Sequence, residues 1–376
     1  MKLAIISHTP HYRSEGIVKG WGSTVTEINH LAKLFDRIFH VAPLHEENSP
    51  GSSLPYIGDK IEFIPLKPYG GSKLSDKFSI IKTAPYNLSK INSVLKILGK
   101  KDWVQFRAPT AMGLYVLPFL KIRNKSKLWV KYAGNWKMEN PPFSYRFQKW
   151  WLENNIQKSK VTINGYWKGQ KDHLINFINP CIDETELAEA GESALKKNFN
   201  GKLTICFSGT LTENKGTGLI LEALQNFSNA EKIEEVLFAG DGSGRKLFEE
   251  KAAGIKIKIK FLGFINREEL KSVYSKSHLI LLPSESEGFP KVIAEAAAYG
   301  CVPVVSDISS ISQYFNNVNA YLLEKISSPE IEKKIHEADD DRNALRLKSG
   351  LCVKTAKKFT YEHFLKSLQE KILTEQ

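Results

Sequence analysis

Two glutamates, Glu287 and Glu295, flank a predicted helix start in the segment PSESEGFPKVIAEAAAYG. The helix can begin at Pro290, because proline needs no N–H partner in a first helical turn. The backbone N–H groups of Lys291 and Val292, together with the helix dipole, would form a site for an anion. A diphosphate bound there would leave Glu287 for the hydroxyls of a sugar and Glu295 for vicinal hydroxyls such as those of a ribose. For an isolated pair, two solvated glutamates at a helix start are the alternative interpretation.

A second loop repeats this arrangement of a strand end, a glycine turn and a helix start. In CFSGTLTENKGTGLILEAL a predicted strand ends at a glycine, and Lys215 and Gly216 precede the helix. A lysine beside a helix N-terminus suits phosphate, although a surface lysine in such a place is also common. The later turn LFAGDGSGRK does not have the glycine spacing of a dinucleotide-binding loop, so a packing role is the better interpretation.

Apolar segments and helical segments alternate along the chain, which predicts parallel β-strands connected by helices. One series of strands begins with KLAIIS and ends near KVTING, and a second begins with KLTICFSG and ends with VPVVSD. The two series predict an α/β protein with two doubly wound domains, joined near NPCIDETELAEAGES. Ligands of such sheets bind beyond the carboxyl ends of the strands, which is where both loops lie.

The charge of the 376-residue chain is divided unevenly between its halves. Residues 1–180 contain 27 Lys and Arg against 12 Asp and Glu, a net charge of +15, and residues 181–376 contain 26 against 29, a net charge of −3. This asymmetry predicts different partners for the two domains. No segment has the roughly 18 consecutive apolar residues of a membrane span, and the start of the chain predicts a buried strand. Four widely spaced cysteines predict reduced thiols in a cytoplasmic protein.

In their order along the chain, the segments FSGTLTENKG, FAGDGSG and KFLGFINREELKSVYSKSHLILLPSESEGFPKVIAEAAAYGCVPVVSD resemble the retaining glycosyltransferases of family 4. The resemblance implies the GT-B fold, in which two Rossmann-like domains face each other across the active-site cleft. It implies an acceptor-side domain over residues 1–185, onto which a C-terminal helix at 356–376 packs back. The nucleotide-sugar-binding domain would then span residues 198–355.

The resemblance also implies roles for individual residues. Glu287 would contact the donor sugar, Glu295 would hold the ribose, and Lys215 would neutralise the diphosphate leaving group, so that Glu287 and Lys215 are the expected catalytic residues. The loop GFIN would contact the base. The full expected nucleotide-sugar set is Gly22, Thr210, Lys215, Phe264, Ile265, Phe289, Lys291, Val292 and Glu295.

The chain departs from the family pattern at four places, one of which is Ser309-Ser310 in the segment SDISSI, where Gly-Gly is usual. A Gly-Gly pair is replaced by Gly20-Trp21-Gly22, of which Gly22 is expected to face the diphosphate. Thr210 stands where the family usually has an arginine, so another cation would have to accompany Lys215. The candidates for that cation are Arg13, Lys291 and Arg245. On the acceptor side, Asn135 stands where many members have a histidine, and an asparagine cannot act as a general base.

These features predict a retaining, metal-independent hexosyltransferase that needs no cofactor and takes a nucleoside-diphosphate sugar, with UDP as the expected nucleotide. The acidic run at 339–341 follows a polar helix and not a strand end, so no catalytic metal is predicted. The basic, aromatic segment FSYRFQKWWLENNIQKSK suits the inner face of a cytoplasmic membrane. A glycan or lipid-linked acceptor of cell-envelope polysaccharide synthesis is therefore expected, with solvated lysines and core aromatics as the equal alternative.

Two other functions remain open, and a third is possible but not predicted. A nucleotide-sugar 2-epimerase shares the fold, but it needs acid–base carboxylates and histidines in the first-half loops, which are not found. A catalytically degenerate nucleotide-binding protein would accommodate Thr210 and Asn135. A nucleic-acid role for the basic half lacks a recognition motif, so no nucleic-acid partner is predicted.

Overall fold

The computed structural model describes residues 1–70 and 74–374, with the side chains of residues 74–78 left out. The chain divides into two compact units, Met1–Phe177 with Leu365–Gln376, and Ile178–Phe364. Residues 178–185, which the sequence assigns to the first domain, lie in the second unit. In place of one terminal helix at 356–376, one helix ends at Ala356 and another spans Tyr361–Leu368, and residues 375 and 376 lie outside the described residues.

The first unit is a doubly wound sheet flanked by helices. Its strands in the described residues are β1 (Lys2–Ile6), β2 (His11–Ser14), β3 (Ile17–Trp21), β4 (Arg37–His45), β5 (Ser53–Pro55), β6 (Ile61–Leu66), β7 (Trp103–Ala108), β8 (Lys127–Tyr132), β9 (Lys160–Asn164) and β10 (Leu174–Phe177). The helices that connect them are α1 (Gly22–Leu31), α2 (Leu74–Leu95), α3 (Gly113–Arg123) and α4 (Phe143–Glu153).

Parallel strands in this unit follow the order β10-β9-β8-β7-β1-β4-β6, and β2, β3 and β5 extend the sheet beyond the end of β4. The central strands are buried on both faces, which explains why they read as continuous apolar runs. Strand order reverses between β1 and β7, so the loops that follow these two strands form the switch point at which ligands of such sheets bind.

The second unit repeats this plan with a simpler sheet. Its strands in the described residues are β11 (Leu203–Ser208), β12 (Ile233–Ala239), β13 (Ile259–Gly263), β14 (Leu279–Leu282), β15 (Val302–Ser306) and β16 (Tyr321–Leu323). Its helices are α5 (Glu184–Leu195), α6 (Thr217–Asn226), α7 (Arg245–Ala252), α8 (Arg267–Lys276), α9 (Lys291–Ala298), α10 (Ser328–Asp340) and α11 (Arg342–Ala356). They are followed in the chain by α12 (Tyr361–Leu368), which belongs to the first unit from Leu365 on. All six strands are parallel, in the order β13-β12-β11-β14-β15-β16, so the switch point lies between β11 and β14.

A closed ring of hydrogen bonds lies under the loop that follows β1. The Thr9 N–H donates to Ser7 Oγ at 3.2 Å, and Ser7 Oγ and His40 Nε2 are 2.7 Å apart. Tyr56 Oη lies 2.6 Å from His40 Nδ1 and 2.7 Å from His11 Nε2, and His11 Nδ1 lies 2.8 Å from the Thr9 carbonyl. Because a carbonyl only accepts, His11 carries its proton on Nδ1, which makes each hydroxyl donate to the next imidazole. The ring is complete only while both imidazoles are neutral.

This ring makes the first unit sensitive to acid. Burial lowers the pKa of His11 to about 4 and that of His40 well below its usual value. An imidazole whose pKa is lower in the folded than in the unfolded state lowers the free energy of unfolding as the pH falls below about 6.5. We expect His11 alone to cost about 3 kcal/mol of unfolding free energy by about pH 4.

Urea unfolding at several pH values between neutrality and about pH 4 measures this loss. The double variant His11→Gln/His40→Gln should lose less stability over this interval than the parent does. An equal pH dependence in the double variant and the parent would contradict a titrating ring.

Candidate functional site

The switch point of the second unit consists of the loops 209–216 and 283–290. The first follows β11 and leads into α6, and the second follows β14 and leads into α9. These strands are hydrogen-bonded neighbours that run in the same direction, with Cys206 beside Ile280. Both loops therefore leave the same edge of the sheet, and both contain residues that the sequence predicts to bind a nucleotide sugar.

Backbone contacts bind these two loops to each other. The Glu285 N–H donates to the carbonyl of Asn214 at 3.0 Å. Gly216 has a φ of 74°, and a Cβ at this position would lie 2.5 Å from Pro283 Cγ and 2.6 Å from the Pro283 carbonyl oxygen. Only glycine meets both requirements without strain. Gly216, which follows Lys215, is therefore required by the structure, because it lets loop 209–216 pack directly on loop 283–290.

Lys215 and Glu287 form an ion pair between these loops. The Lys215 ammonium lies against Glu287 Oε1, and the two side chains are 29% and 12% exposed. The structure therefore brings together the two residues that the sequence predicts to be catalytic. A cation and a carboxylate that touch at a sheet edge, both partly open to solvent, can bind a phosphate and a sugar hydroxyl side by side.

Glu295 lies on α9 in a second charge cluster. Its Oε1 accepts a hydrogen bond from Arg267 Nη1 at 2.9 Å, and Arg267 Nη2 also donates to Glu186 Oε1 at 2.8 Å and to the Cys181 carbonyl at 3.1 Å. Burial disfavours the Arg267 charge, but Glu295 and Glu186 outweigh this and raise the pKa of the guanidinium. For Glu186 burial dominates and raises the pKa of its carboxyl against the pull of Arg267. Arg267 thus holds Glu295 in a fixed orientation.

The start of α9 is built on a buried aromatic residue. Phe289 is 9% exposed and stacks on Phe359 with ring centroids 4.8 Å apart, so it anchors the loop in the core. The Ser309 hydroxyl donates to the Gly288 carbonyl at 2.7 Å and braces the same loop. Pro290 precedes the first turn, and within the described residues no side chain caps it. Lys291 and Val292 occupy that turn, half-buried, where helix N–H groups favour an anion.

The loops that follow β12 and β13 contact loop 209–216 and each other through their backbones. A Cβ on Gly240 would collide with the carbonyl oxygen of Gly209, and Gly240 N–H donates to the Gly263 carbonyl at 2.8 Å. From this frame Thr210 and Phe264 project into solvent, and Phe264 is 55% exposed. Ile265, by contrast, is half-buried against the core of the unit.

Arg245, one of the predicted replacements for the missing arginine, is already paired. Its Nε donates to Glu249 at 2.7 Å and its Nη1 to Asp241 at 3.4 Å. These carboxylates balance its charge at the loop that follows β12. Arg13 is exposed on β2 of the first unit, and Lys291 lies in the first turn of α9. Among these three, Lys291 directly follows the loop that contains Glu287.

In the first unit, Gly22 and Asn135 have local structural roles. Gly22 opens α1, and a Cβ on it would lie 2.6 Å from the carbonyl oxygen of Ser52, to which its own N–H donates at 3.0 Å. Close packing therefore requires glycine at this position independently of any ligand. The Asn135 side chain accepts a hydrogen bond from the Lys137 N–H at 2.9 Å and closes a turn after β8.

The sequence did not point to Arg267 or Glu186 as residues of this site. Arg267 is the first residue of α8, directly after Asn266, whose side chain forms a capping box with Glu269. The capping signal was visible in the sequence as Asn followed three residues later by Glu. It would have placed Arg267 in the first turn of a helix that follows a strand end, which is where a ligand-facing cation belongs.

Exchanging residues of the Arg267 cluster should separate ligand binding from folding. We expect Glu295→Ala to weaken nucleoside-diphosphate affinity about tenfold or more, which is about 1.4 kcal/mol. Arg267→Ala should lower the free energy of unfolding by about 1 to 3 kcal/mol, because two part-buried carboxylates lose their cation. Calorimetric titration and urea unfolding measure the two effects.

Glu186→Gln is the matched control, since it changes the other carboxylate on Arg267 and leaves α9 untouched. Its nucleotide affinity should stay within about twofold of the parent, well under the 1.4 kcal/mol of a tenfold change. Equal losses of affinity in Glu295→Ala and Glu186→Gln would contradict a specific ribose contact by Glu295.

The described residues contain no group of three or more His, Cys, Asp or Glu side chains placed to hold a metal ion. Within the same residues, every helix is too short or too polar to span a bilayer.

Residues 192–356 match the family model of glycosyl transferases group 1. The 2-deoxystreptamine N-acetyl-D-glucosaminyltransferase of Niallia circulans is 32% identical over 137 residues, 34% of each chain. The GalNAc-alpha-(1->4)-GalNAc-alpha-(1->3)-diNAcBac-PP-undecaprenol alpha-1,4-N-acetyl-D-galactosaminyltransferase of Campylobacter jejuni is 30% identical over 121 residues, 32% of each chain. This chain therefore spans about a third of the length of the curated relatives it matches.

Among solved structures, HepE of Anabaena in complex with UDP and glucose is similar to this chain over nearly its whole length. The TM-score is 0.69 at 16% identity, covering 98% of each chain. A likeness at this identity concerns the fold, and the fold is the two-domain α/β arrangement of GT-B glycosyltransferases. The predicted fold class is confirmed.

Proposed function

We propose that this chain, whose residues 192–356 carry the glycosyl transferases group 1 match, moves a sugar from a nucleoside-diphosphate sugar to a glycan acceptor. The observation that carries the proposal is the contact of Lys215 with Glu287 at the switch point of the second unit. A phosphate-binding cation and a sugar-binding carboxylate lie on two loops whose backbones are joined. The comparisons with transferases support this reading and do not favour the 2-epimerase.

In this proposal each charged group has one task at the donor. Lys215 and the first turn of α9 receive the diphosphate, and the negative charge that grows on the leaving phosphate is stabilised there. Glu287 accepts hydrogen bonds from the sugar and faces the positive charge that develops at its anomeric carbon. Glu295, oriented by Arg267, takes the ribose hydroxyls.

We further propose a retaining reaction that uses no metal ion. The new bond forms on the face of the sugar that the diphosphate leaves, and the leaving phosphate takes the proton of the acceptor hydroxyl. No protein base is needed on this path, which agrees with an asparagine at position 135. Lys215 and the N–H groups of α9 supply the positive potential that a metal ion provides in other phosphoryl sites.

UDP is the proposed nucleotide, and a lipid-linked glycan of the cell envelope is the proposed acceptor. The first proposal is supported by HepE, whose structure contains UDP and glucose, and the second by the undecaprenol-linked acceptor in the name of the Campylobacter relative. The exposed aromatics Phe143 (67%) and Trp150 (54%) on α4 of the basic first unit also support a position at an anionic cytoplasmic membrane face.

Incubation with a panel of nucleoside-diphosphate sugars tests the function itself. We expect slow release of the free nucleoside diphosphate from one of them, faster when a glycan acceptor is added, with and without a chelator. A 2-epimer of the added nucleotide sugar as the product would establish the epimerase instead. Nucleotide binding without release from any donor would establish a degenerate binding protein.

Membrane association is tested by sedimentation with vesicles of anionic and neutral lipid at low and high salt. We expect binding to anionic vesicles that weakens with salt, since each cation near the surface contributes about 1 kcal/mol. Phe143→Ser/Trp150→Ser should reduce the bound fraction. Leu195→Ser, which changes an 89% exposed residue of the acidic second unit, should not reduce it. Binding that does not depend on lipid charge or salt concentration, or no binding at all, would favour a soluble acceptor.

A further inference from the structure

The first unit contains a cavity of about 160 Å³ beyond the carboxyl ends of β8 and β9. Its walls come from the loop after β8, the loop after β9 and the end of α4. Two tryptophans, Trp136 and Trp167, line it together with three lysines. None of these residues belongs to the predicted nucleotide-sugar set.

Both indoles are held in place by neighbouring groups. Trp136 is 3% exposed, meets Tyr132 edge-on with ring centroids 4.8 Å apart, and has Lys149 Nζ 5.7 Å from its ring centroid, so it forms the buried floor of the cavity. Trp167 Nε1 donates to the Asn164 carbonyl at 3.1 Å. The Trp167 N–H donates to Gln170 Oε1 at 3.1 Å, which closes the loop on itself. Aromatic walls that are fixed before a ligand arrives lose little conformational entropy on binding.

The charge at this cavity is positive. Lys137, Lys168 and Lys171 line it, against one carboxylate, Glu153, whose side chain is 42% exposed. Lys137 Nζ lies 5.8 Å from the centroid of the Trp167 ring, so a cation and an aromatic face are presented together. Lysine is a compact point charge that suits phosphate or carboxylate groups.

Size and chemistry together select the ligand class. A pocket of about 160 Å³ that is partly open to solvent is large enough to hold a six-membered ring. The face of an indole carries negative charge and attracts the C–H groups of a sugar ring, while lysine ammonium groups attract an anionic substituent.

We propose that this cavity binds an acceptor sugar that carries an anionic group, a phosphate or a carboxylate, against Trp167. The inference rests on the proposed function, because the first unit then supplies the acceptor side of the reaction. It adds the class of the acceptor: the sugar lies on the half-buried Trp167 indole, and its anionic group binds the exposed Lys137, Lys168 and Lys171. Neutral sugars of the same size bind more weakly.

Ligand binding to the full chain is followed by NMR of the tryptophan indole N–H groups. The probes are glucose 1-phosphate, glucuronate, methyl glucoside and inorganic phosphate. We expect both anionic sugars to shift the Trp167 signal and to bind about tenfold tighter than methyl glucoside. Inorganic phosphate alone should leave the indole signals in place. Equal affinity for the neutral and anionic sugars, or shifts confined to other tryptophans, would overturn the proposal.

Two variants and a matched control locate the binding. Lys168→Gln/Lys171→Gln should weaken the anionic sugars about tenfold and leave methyl glucoside unchanged. Trp167→Leu should weaken all three sugars, with urea unfolding as the check that the unit remains folded. Lys100→Gln/Lys125→Gln, which removes two exposed lysines of the same unit, should change nothing. If Lys100→Gln/Lys125→Gln weakens the binding of anionic sugars as much as Lys168→Gln/Lys171→Gln does, the binding reflects general electrostatic attraction and not a specific site.

The two hypotheses fail in distinguishable ways. If the transferase is real and the cavity is not, nucleotide release continues and the acceptor KM is the same in Lys168→Gln/Lys171→Gln and the parent. If the cavity is real and the function is not, sugar phosphates shift Trp167 while no donor releases nucleotide. A comparison of a free sugar phosphate with a detergent-solubilised polyprenyl diphosphate sugar then identifies the source of the anionic group.

Discussion

Replacing Glu287 by glutamine should reduce kcat/KM for glycosyl transfer about 100- to 1,000-fold while nucleoside-diphosphate affinity stays within about twofold. Glutamine keeps the size and the hydrogen-bonding carbonyl of the side chain but removes its negative charge. In the proposed reaction that charge faces the sugar, where positive charge develops only as the bond to the diphosphate breaks. The effect therefore falls on the transition state and not on the bound nucleotide.

Initial rates with the donor found in the panel, and calorimetric titration with the corresponding nucleoside diphosphate, measure the two quantities. Glu285→Gln is the control, since this exposed carboxyl lies two residues earlier in the same loop and only its backbone N–H joins the lysine loop. It should transfer at the parental rate. Turnover of Glu287→Gln comparable to the parent would remove Glu287 from the catalytic residues.

Replacing Lys215 by alanine should lower kcat by about 100-fold or more and weaken donor binding by less than about tenfold. The charge on the β-phosphate grows during bond cleavage, so the ammonium stabilises the transition state more than the ground state. The double variant Lys215→Ala/Glu287→Gln should cost less than the product of the single effects, because each single change also leaves its partner unpaired.

Steady-state and single-turnover kinetics separate these effects. Lys251→Ala is the matched control, because this exposed lysine of α7 lies near the same loop, 3.6 Å from Glu213, and faces no predicted ligand group. Its rate should equal the parental rate. An effect of Lys215→Ala on KM alone would mean that the lysine only docks the ground state of the donor.

The sequence predicted the parts of the site that local patterns encode. Strand ends, glycine turns and helix starts are short-range features, so both switch-point loops were found, and Lys215 and Glu287 were expected in one crevice. The backbone bond that joins these loops, from Glu285 to Asn214, links positions 71 residues apart. No local pattern encodes such a contact, and the fold had to supply it.

Ion pairs between residues far apart in the sequence could not be predicted. In the first unit Glu27 is buried and contacts Arg107 at 3.0 Å and Lys131 at 2.6 Å, although these cations lie 80 and 104 residues away. A count along the sequence assigns both cations to the basic surface of the first half. The structure places them in the interior, so the surface charge available to a membrane or an acceptor is smaller than +15 suggests.

The joined loops of the second unit determine which positions of the site can accept exchanges. Positions such as Gly216 and Gly240 accept no side chain. The relative positions of the loops around the proposed diphosphate site are therefore preserved together. Thr210 and Phe264 stand outside this frame, and exchanges at exposed positions usually change stability by about 0.5 kcal/mol or less. Single exchanges at these loop tips can therefore accumulate with every intermediate still folded.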